Sequence, residues 1–217
     1  MPRLVDLSHP IADGQLSYPG DPPLKITAFR TMAEHGVRVS QLKLGSHQAT
    51  HLDAPAHFYA DGVTVDQIPL GRFFGPARLV DLAPGSALVP KTPITPEMLQ
   101  PHAASFQAGG RVILRTGWDR TFNTPEYFTD LPSLTLEAAE WIAATGIVLL
   151  GMDLPTPSKI AGRACHYALL KKGVEIVLLE GLAHLELLPE EFTLAAFPLR
   201  LVGGDGSPVR AVAILPD

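Results

Sequence analysis

One cysteine, Cys165, in 217 residues excludes an internal disulfide framework and a cysteine-ligated zinc knuckle. Charge is sparse: 18% of residues are Asp, Glu, Lys or Arg against 46% hydrophobic, too apolar for a disordered chain. Basic tracts are missing as well. Lys and Arg number 17 against 22 Asp and Glu, a net charge of −5, so no nucleic-acid partner is expected. No apolar run is long enough to span a membrane, and Met1-Pro-Arg-Leu-Val-Asp6 has no apolar signal core. No membrane partner is expected, and the expected location is the cytoplasm. No linker or fixed-period repeat divides the chain, and its length suits a single domain over residues 1–217.

Against that background, 21 prolines and 8 histidines stand out. Short apolar runs punctuated by Pro and Gly predict strands at Leu4–Leu7, Val37–Leu44, Ala77–Leu82 and Arg111–Arg115. The alternation in Val37–Leu44 predicts a half-buried strand. The segment from Ser133 to Ala144 has helical spacing, with Thr135 as N-cap and Gly146 as stop. Strands at Ile147–Leu150 and Val174–Leu179 flank a short helical turn at His166–Lys172. Pro198–Val202 and Val209–Leu215 are read as a closing hairpin around Gly203–Ser207. Strands that both follow one another and alternate with helices predict an α/β fold: a single layered domain with a mixed β-sheet flanked by helices.

The chemistry concentrates between Ser46 and His57, where His47, His51, Asp53 and His57 fall within eleven residues. A helix would place His47 and His51 on one face but turn Asp53 away, and Pro55 would break it. In an extended chain all four odd positions project to one side, with Leu42, Leu44 and Leu52 opposite. The extended reading is preferred. Two imidazoles and a carboxylate on one face suit Zn²⁺, Mn²⁺ or Fe²⁺ and leave room for a water whose pKa the cation lowers. His57, beyond the proline, is either a fourth ligand or a general acid/base. His9, His35, His102 and His184 are isolated, and each is read as a surface or packing residue.

Further along, His166 opens an amphipathic segment and Glu180 ends an apolar strand, where burial of a carboxylate requires a partner or a cation. Joined to Asp53, the two would hold a second ion; Glu180 as a solvated strand end is the competing reading. Asp153, in Gly-Met-Asp-Leu-Pro, either orients a ligand histidine or forms a turn. Cys165 is read as packing, although its position beside His166 allows a redox role.

The run His47-Gln-Ala-Thr-His-Leu-Asp-Ala-Pro-Ala-His57 resembles the His-x-Gly-Thr-His-x-Asp-x-Pro-x-His signature of the cyclase family of metal-dependent hydrolases, which includes bacterial kynurenine formamidases and isatin hydrolases. Asp6–Ile11, Tyr18-Pro-Gly-Asp21, Arg115-Thr-Gly-Trp118, Gly151-Met-Asp153, His166, Glu180 and Gly204–Arg210 follow in the family's order. The resemblance implies that His47, His51 and Asp53 ligate a first metal, and that Asp53, His166 and Glu180 ligate a second. It implies His57 as the proton-transfer residue and Tyr18 as a substrate-contacting aromatic. The implied cofactor is one or two Zn²⁺ ions, with Mn²⁺ possible; the implied partners are a small-molecule substrate and a second copy of the chain in a homodimer or higher assembly. The implied reaction is attack by metal-activated water on an aryl formamide, N-formyl-L-kynurenine giving L-kynurenine and formate. Hydrolysis of a cyclic amide, lactone or small ester, as in isatin hydrolases, is the alternative, and a non-catalytic metal-binding module ranks below both. Two departures matter. Ala49 replaces a glycine, which is tolerable unless that position needs positive φ, and Tyr18 replaces the tryptophan common among the formamidases.

Overall fold

The computed structural model describes residues 2–215. Thirteen strands occur among them, formed where apolar or β-branched residues alternate between turn-forming Pro and Gly. In chain order they are β1 (Arg3–Asp6), β2 (Lys25–Arg30), β3 (Val39–Lys43), β4 (His51–Asp53), β5 (Phe74–Asp81), β6 (Pro93–Ile94) and β7 (Arg111–Arg115). There follow β8 (Ser133–Leu134), β9 (Leu149–Met152), β10 (Val177–Glu180), β11 (Glu191–Ala195), β12 (Gly206–Pro208) and β13 (Val212–Leu215). Five α-helices accompany them: α1 (Met32–His35), α2 (Pro96–Leu99), α3 (Pro125–Thr129), α4 (Leu136–Ala144) and α5 (Arg163–Leu170).

Nine strands form one mixed sheet in the order β1-β13-β11-β5-β7-β9-β10-β4-β12. The central β5, β7, β9 and β10 run parallel, and the strands on either side pair antiparallel. Side chains alternate across this sheet into two cores. Val112, Leu114, Leu150 and Leu178 face the helical layer of α4 and α5, while Ile113, Leu149, Val177 and Leu179 face the other cluster with Leu7, Phe192 and Leu194. A bridge between Ser8 and Leu182 ties the chain after β1 to the chain after β10, so the sheet curls around that second cluster. The mixed sheet with its helical layer is the fold class expected from the sequence. Thr135 caps α4 as predicted, its hydroxyl accepting from the Ala138 N–H at 3.2 Å.

Three expectations are corrected. The closing hairpin does not form: Pro198–Val202 makes only a bridge from Pro198 to Val209, and β13 pairs with β1 and β11 instead. The chain before β13 turns to lay β12 along β4, covering an edge that would otherwise present unpaired backbone groups. The predicted Val37–Leu44 strand is present as β3, but all five of its residues are exposed, because it pairs only with β2 in a separate two-stranded ribbon.

Asp153 orients no histidine. It is fully buried at the end of β9, where its carboxylate accepts from the Thr116 N–H at 3.0 Å, the Thr116 hydroxyl at 2.7 Å and the Gly117 N–H at 2.7 Å. Burial pushes its pKa up to about 7 against the pull of those donors. The group clamps the chain leaving β7 to the end of β9. Asp153→Ala leaves two buried N–H groups without an acceptor and is expected to cost about 2–4 kcal/mol in urea denaturation. Wild-type stability in that variant would contradict the clamp.

Candidate metal centre

Strand alternation and register build the floor of the site. In β4, Leu52 points into the second core and is 0% exposed, which turns His51 and Asp53 to the face covered by α5. Antiparallel pairing sets Glu180 of β10 opposite His51 on that same face. His166 comes from α5, its ring stacked on Phe58 with centroids 4.2 Å apart and an interplanar angle of 9°.

His47 and His57 reach the site by other routes than the one expected. The extended segment is only His51–Asp53; His47 lies in a turn, and His57 ends a 3₁₀ helix over Pro55–His57 that Pro55 opens at a position suited to its fixed φ. Between His47 and His51 the backbone reverses at Ala49, whose φ is +55°, so this position does adopt the left-handed conformation that glycine fills more readily. The reversal aims the Ala49 carbonyl at His51 Nδ1, 3.0 Å away, leaving Nε2 as the free ligand atom. Thr50 fastens the turn by donating to the Gly181 carbonyl at 2.5 Å.

Two sets of donors converge on Asp53. His47, His51 and Asp53 form one, and Asp53, His166 and Glu180 the other; within each, the candidate ligand atoms lie within 4.8 Å of one another. Asp53 Oδ1 is 2.7 Å from His47 Nδ1 and 3.3 Å from His51 Nε2. Glu180 Oε2 is 3.4 Å from His51 Nε2, and His166 Nε2 is 3.8 Å from Asp53 Oδ2 and 3.7 Å from Glu180 Oε1. Glu180 Oε1 is buried without a hydrogen-bond partner. A buried, unpartnered carboxylate oxygen among imidazole nitrogens and a second carboxylate fits a borderline-soft divalent cation. Glu180 is thus no solvated strand end.

The electrostatics agree. Burial lowers the pKa of His47, but the charges of and hydrogen bonds with Asp53 and Asp205 outweigh it and raise the value to about 10. Burial likewise opposes, and hydrogen bonds with Asp53 and Glu180 override it, bringing His51 to about 9. Asp53, despite its own burial, is held well below the carboxylate range by His47 and His51. His57 moves the other way: burial and the neighbouring His47 and His166, set against the raising effect of Asp53 and Glu180, keep it below the ordinary imidazole value. It is therefore neutral at pH 7 and able to accept a proton.

Above the floor opens a cavity of about 460 Å³. His57 stands on its rim with 30% of its side chain exposed, its ring 3.9 Å from that of His47. Tyr18 lines it, edge-on to Phe128, and its hydroxyl accepts from Lys159 Nζ at 3.2 Å. Lys159 and Arg163, not singled out in the sequence, give this rim two cations. Asp205 was also missed as a site residue. It comes from the loop before β12, and its Oδ2 lies 2.8 Å from His47 Nε2; its place in Gly204–Arg210, a segment that follows the family's order, was the signal that could have found it. The isolated histidines stay outside the cavity lining: His9 stacks on Phe122 at 3.6 Å, His35 and His184 are exposed, and His102 lies in a 3₁₀ turn. Cys165 is buried against the Leu134 carbonyl, and burial pushes its thiol up to about 11, which disfavours thiolate chemistry.

A curled mixed sheet on which His47 from the turn before β4, His51 and Asp53 of β4, Glu180 of β10 and His166 of α5 converge defines a metal-dependent hydrolase. The chain belongs to the cyclase family: the profile described as "Putative cyclase" matches residues 5–159. It is similar to a kynurenine formamidase of Salinibacter ruber, 36% identical with 96% of each chain covered, and to one of Bacillus cereus, 32% identical with 96% and 95% covered. Among solved structures it is similar to an isatin hydrolase bound to the product analogue thioisatinate, with TM-score 0.88, 25% identity and coverage of 100% of this chain and 93% of that one.

The pKa shifts fix the pH behaviour. Both His47 and His51 are imidazolium at pH 7 in the metal-free protein. Their stabilising effect is complete below the ordinary imidazole pKa and is lost as pH rises through about 9 to 10. A cation binding the first set must displace those protons. Zinc titration near pH 7 is expected to release about two protons per first ion, and affinity is expected to rise with pH. Calorimetry in buffers of different ionisation enthalpy measures the release; none would contradict this electrostatic picture.

Proposed function

We propose that the whole chain, residues 1–217, is one domain that hydrolyses an aryl formamide, N-formyl-L-kynurenine to L-kynurenine and formate. The observation that carries the reading is the convergence of two donor sets on the shared carboxylate of Asp53. His47, His51 and Asp53 hold the first ion, and Asp53, His166 and Glu180 hold the second. Zinc is the ion proposed, one or two per chain, with manganese as the substitute; imidazole and carboxylate donors suit both. When bound, such an ion supplies an acidified water and a Lewis acid for the carbonyl oxygen.

The remaining work falls to the chain's own side chains. Neutral His57 accepts a proton from the attacking water and delivers it to the departing aniline nitrogen. Tyr18 presents an aromatic face to the aryl ring. Lys159 and Arg163 are placed on the rim for the carboxylate of an amino-acid tail, a group that N-formylkynurenine has and isatin lacks. The names of the kynurenine formamidase relatives favour the same substrate. The likeness to isatin hydrolases supports the second reading, a cyclic amide or lactone at the same centre. A non-catalytic module ranks last, since these donors are not a usual structural zinc set.

A homodimer in the cytoplasm belongs to the same proposal. The β2–β3 ribbon and the α1 turn that joins its strands expose Phe29 (64%), Leu42 (57%) and Met32 (64%), apolar side chains of the sort a partner subunit covers. No helix among the described residues is long and apolar enough to cross a membrane.

The test is a comparison of variants and substrates. His57→Ala is expected to keep its metal and lose about 10²- to 10⁴-fold in kcat, whereas Asp53→Ala loses both metal and turnover. Zinc-loaded protein is expected to favour N-formylkynurenine over isatin and simple lactones. Undiminished turnover by His57→Ala would contradict the proton-transfer role, and preference for isatin would transfer the assignment to the second reading.

A further inference from the structure

We infer that Asp205 is a positioning residue that holds the Nε2–H of His47 and thereby presents His47 Nδ1 to the metal. The inference rests on the metal reading above and extends it to a residue from the far end of the chain. His47 is strung between two carboxylates: Nδ1 lies 2.7 Å from Asp53 Oδ1, and Nε2 lies 2.8 Å from Asp205 Oδ2. The Nδ1 edge of the ring meets Asp53, which groups with His51, and the Nε2 edge meets Asp205. The Asp53 side chain is 1% exposed, whereas the Asp205 side chain is 47% exposed at the outer edge. The cation therefore belongs to Nδ1, and the proton to Nε2. A carboxylate that accepts this N–H fixes both the tautomer and the tilt of the ring, and makes the ligand nitrogen more basic.

Asp205 is itself held in place. Its backbone carbonyl accepts from the Ala54 N–H at 2.9 Å, one residue beyond Asp53, and the Ser46 hydroxyl donates to its Oδ2 at 3.3 Å. The next residue must be small: a Cβ on Gly206 would stand 2.6 Å from His47 Cε1 and 2.6 Å from the Leu52 carbonyl oxygen. Glycine there lets β12 lie against the imidazole it supports. The same Oδ2 is 3.5 Å from His57 Nδ1, so one carboxylate bears on both a proposed ligand and the proposed proton carrier.

The competing role on the same geometry is direct ligation, since His47, His57 and Asp205 also bring donor atoms within 4.8 Å of one another. Substitutions separate the two. The amide oxygen of Asp205→Asn still accepts an N–H but is a poor zinc ligand; Asp205→Ala does neither. Zinc is titrated into metal-free protein against a chromophoric chelator, and the imidazole N–H resonances of the zinc-loaded proteins are recorded. Asp205→Ala is expected to bind zinc about 10- to 100-fold more weakly and to lose the slowly exchanging His47 N–H signal. Asp205→Asn is expected to retain that signal and most of the affinity. Thermal melts of the metal-free proteins check folding, and Asp205→Ser, too short to reach the ring, replaces the alanine variant if it does not fold. Unchanged affinity and N–H signal in the alanine or serine variant would overturn the inference. Equal weakening in the alanine and asparagine variants would overturn it in favour of direct ligation. If the unaltered protein binds no zinc, the metal reading itself fails, and this inference with it.

Discussion

The structure turns on the burial of two carboxylates, Asp53 and Glu180, side by side on one face of a sheet whose opposite face is packed with leucine and valine. Like charges so placed repel, and both are almost wholly withdrawn from the surface. In the metal-free protein His47 and His51 neutralise them as imidazolium groups; Glu180 Oε1 and His166 Nδ1 remain without partners. A site with protons where a cation fits, and with one oxygen still unsatisfied, favours exchange of those protons for a divalent ion. The sheet, the turn at Ala49 and the cover by α5 are arranged around that exchange.

Different parts of the fold supply different degrees of precision. Asp53, His51 and Glu180 sit on paired strands, where register fixes their relative positions. His166 is carried by a helix packed over them. His57, Tyr18, Lys159 and Arg163 stand higher, on the rim of the cavity. Rigid floor and more exposed rim suit a centre that must bind a cation in one geometry yet admit and release a small organic molecule.

Much of this was legible in the sequence, though not always for the right reason. The spacing of His47, His51, Asp53 and His57 located the centre, and parity along an extended chain explains His51 and Asp53. It does not explain the other two, because the chain is extended over only three residues. His47 arrives through a turn that depends on a left-handed alanine, a conformation that residue type does not advertise. His57 arrives through a 3₁₀ turn begun by Pro55, the same proline that made a helix implausible. The helix capped by Thr135 and the strand Arg111–Arg115 were readable because their signals are local. The pairing of β12 with β4 was not, since it joins residues more than 150 positions apart. The contact of Asp205 was hidden for that reason: nothing near it in sequence indicates the imidazole it touches.

In the proposed site a cation sits at the meeting point of His47 Nδ1, His51 Nε2 and Asp53. Anomalous diffraction at the zinc edge from zinc-loaded crystals tests it directly. A peak is expected at ligand distance, about 2.0–2.2 Å, from those three groups. A peak found only on the other edge of the His47 ring, between His57 and Asp205, or no peak in the cavity at all, would contradict it.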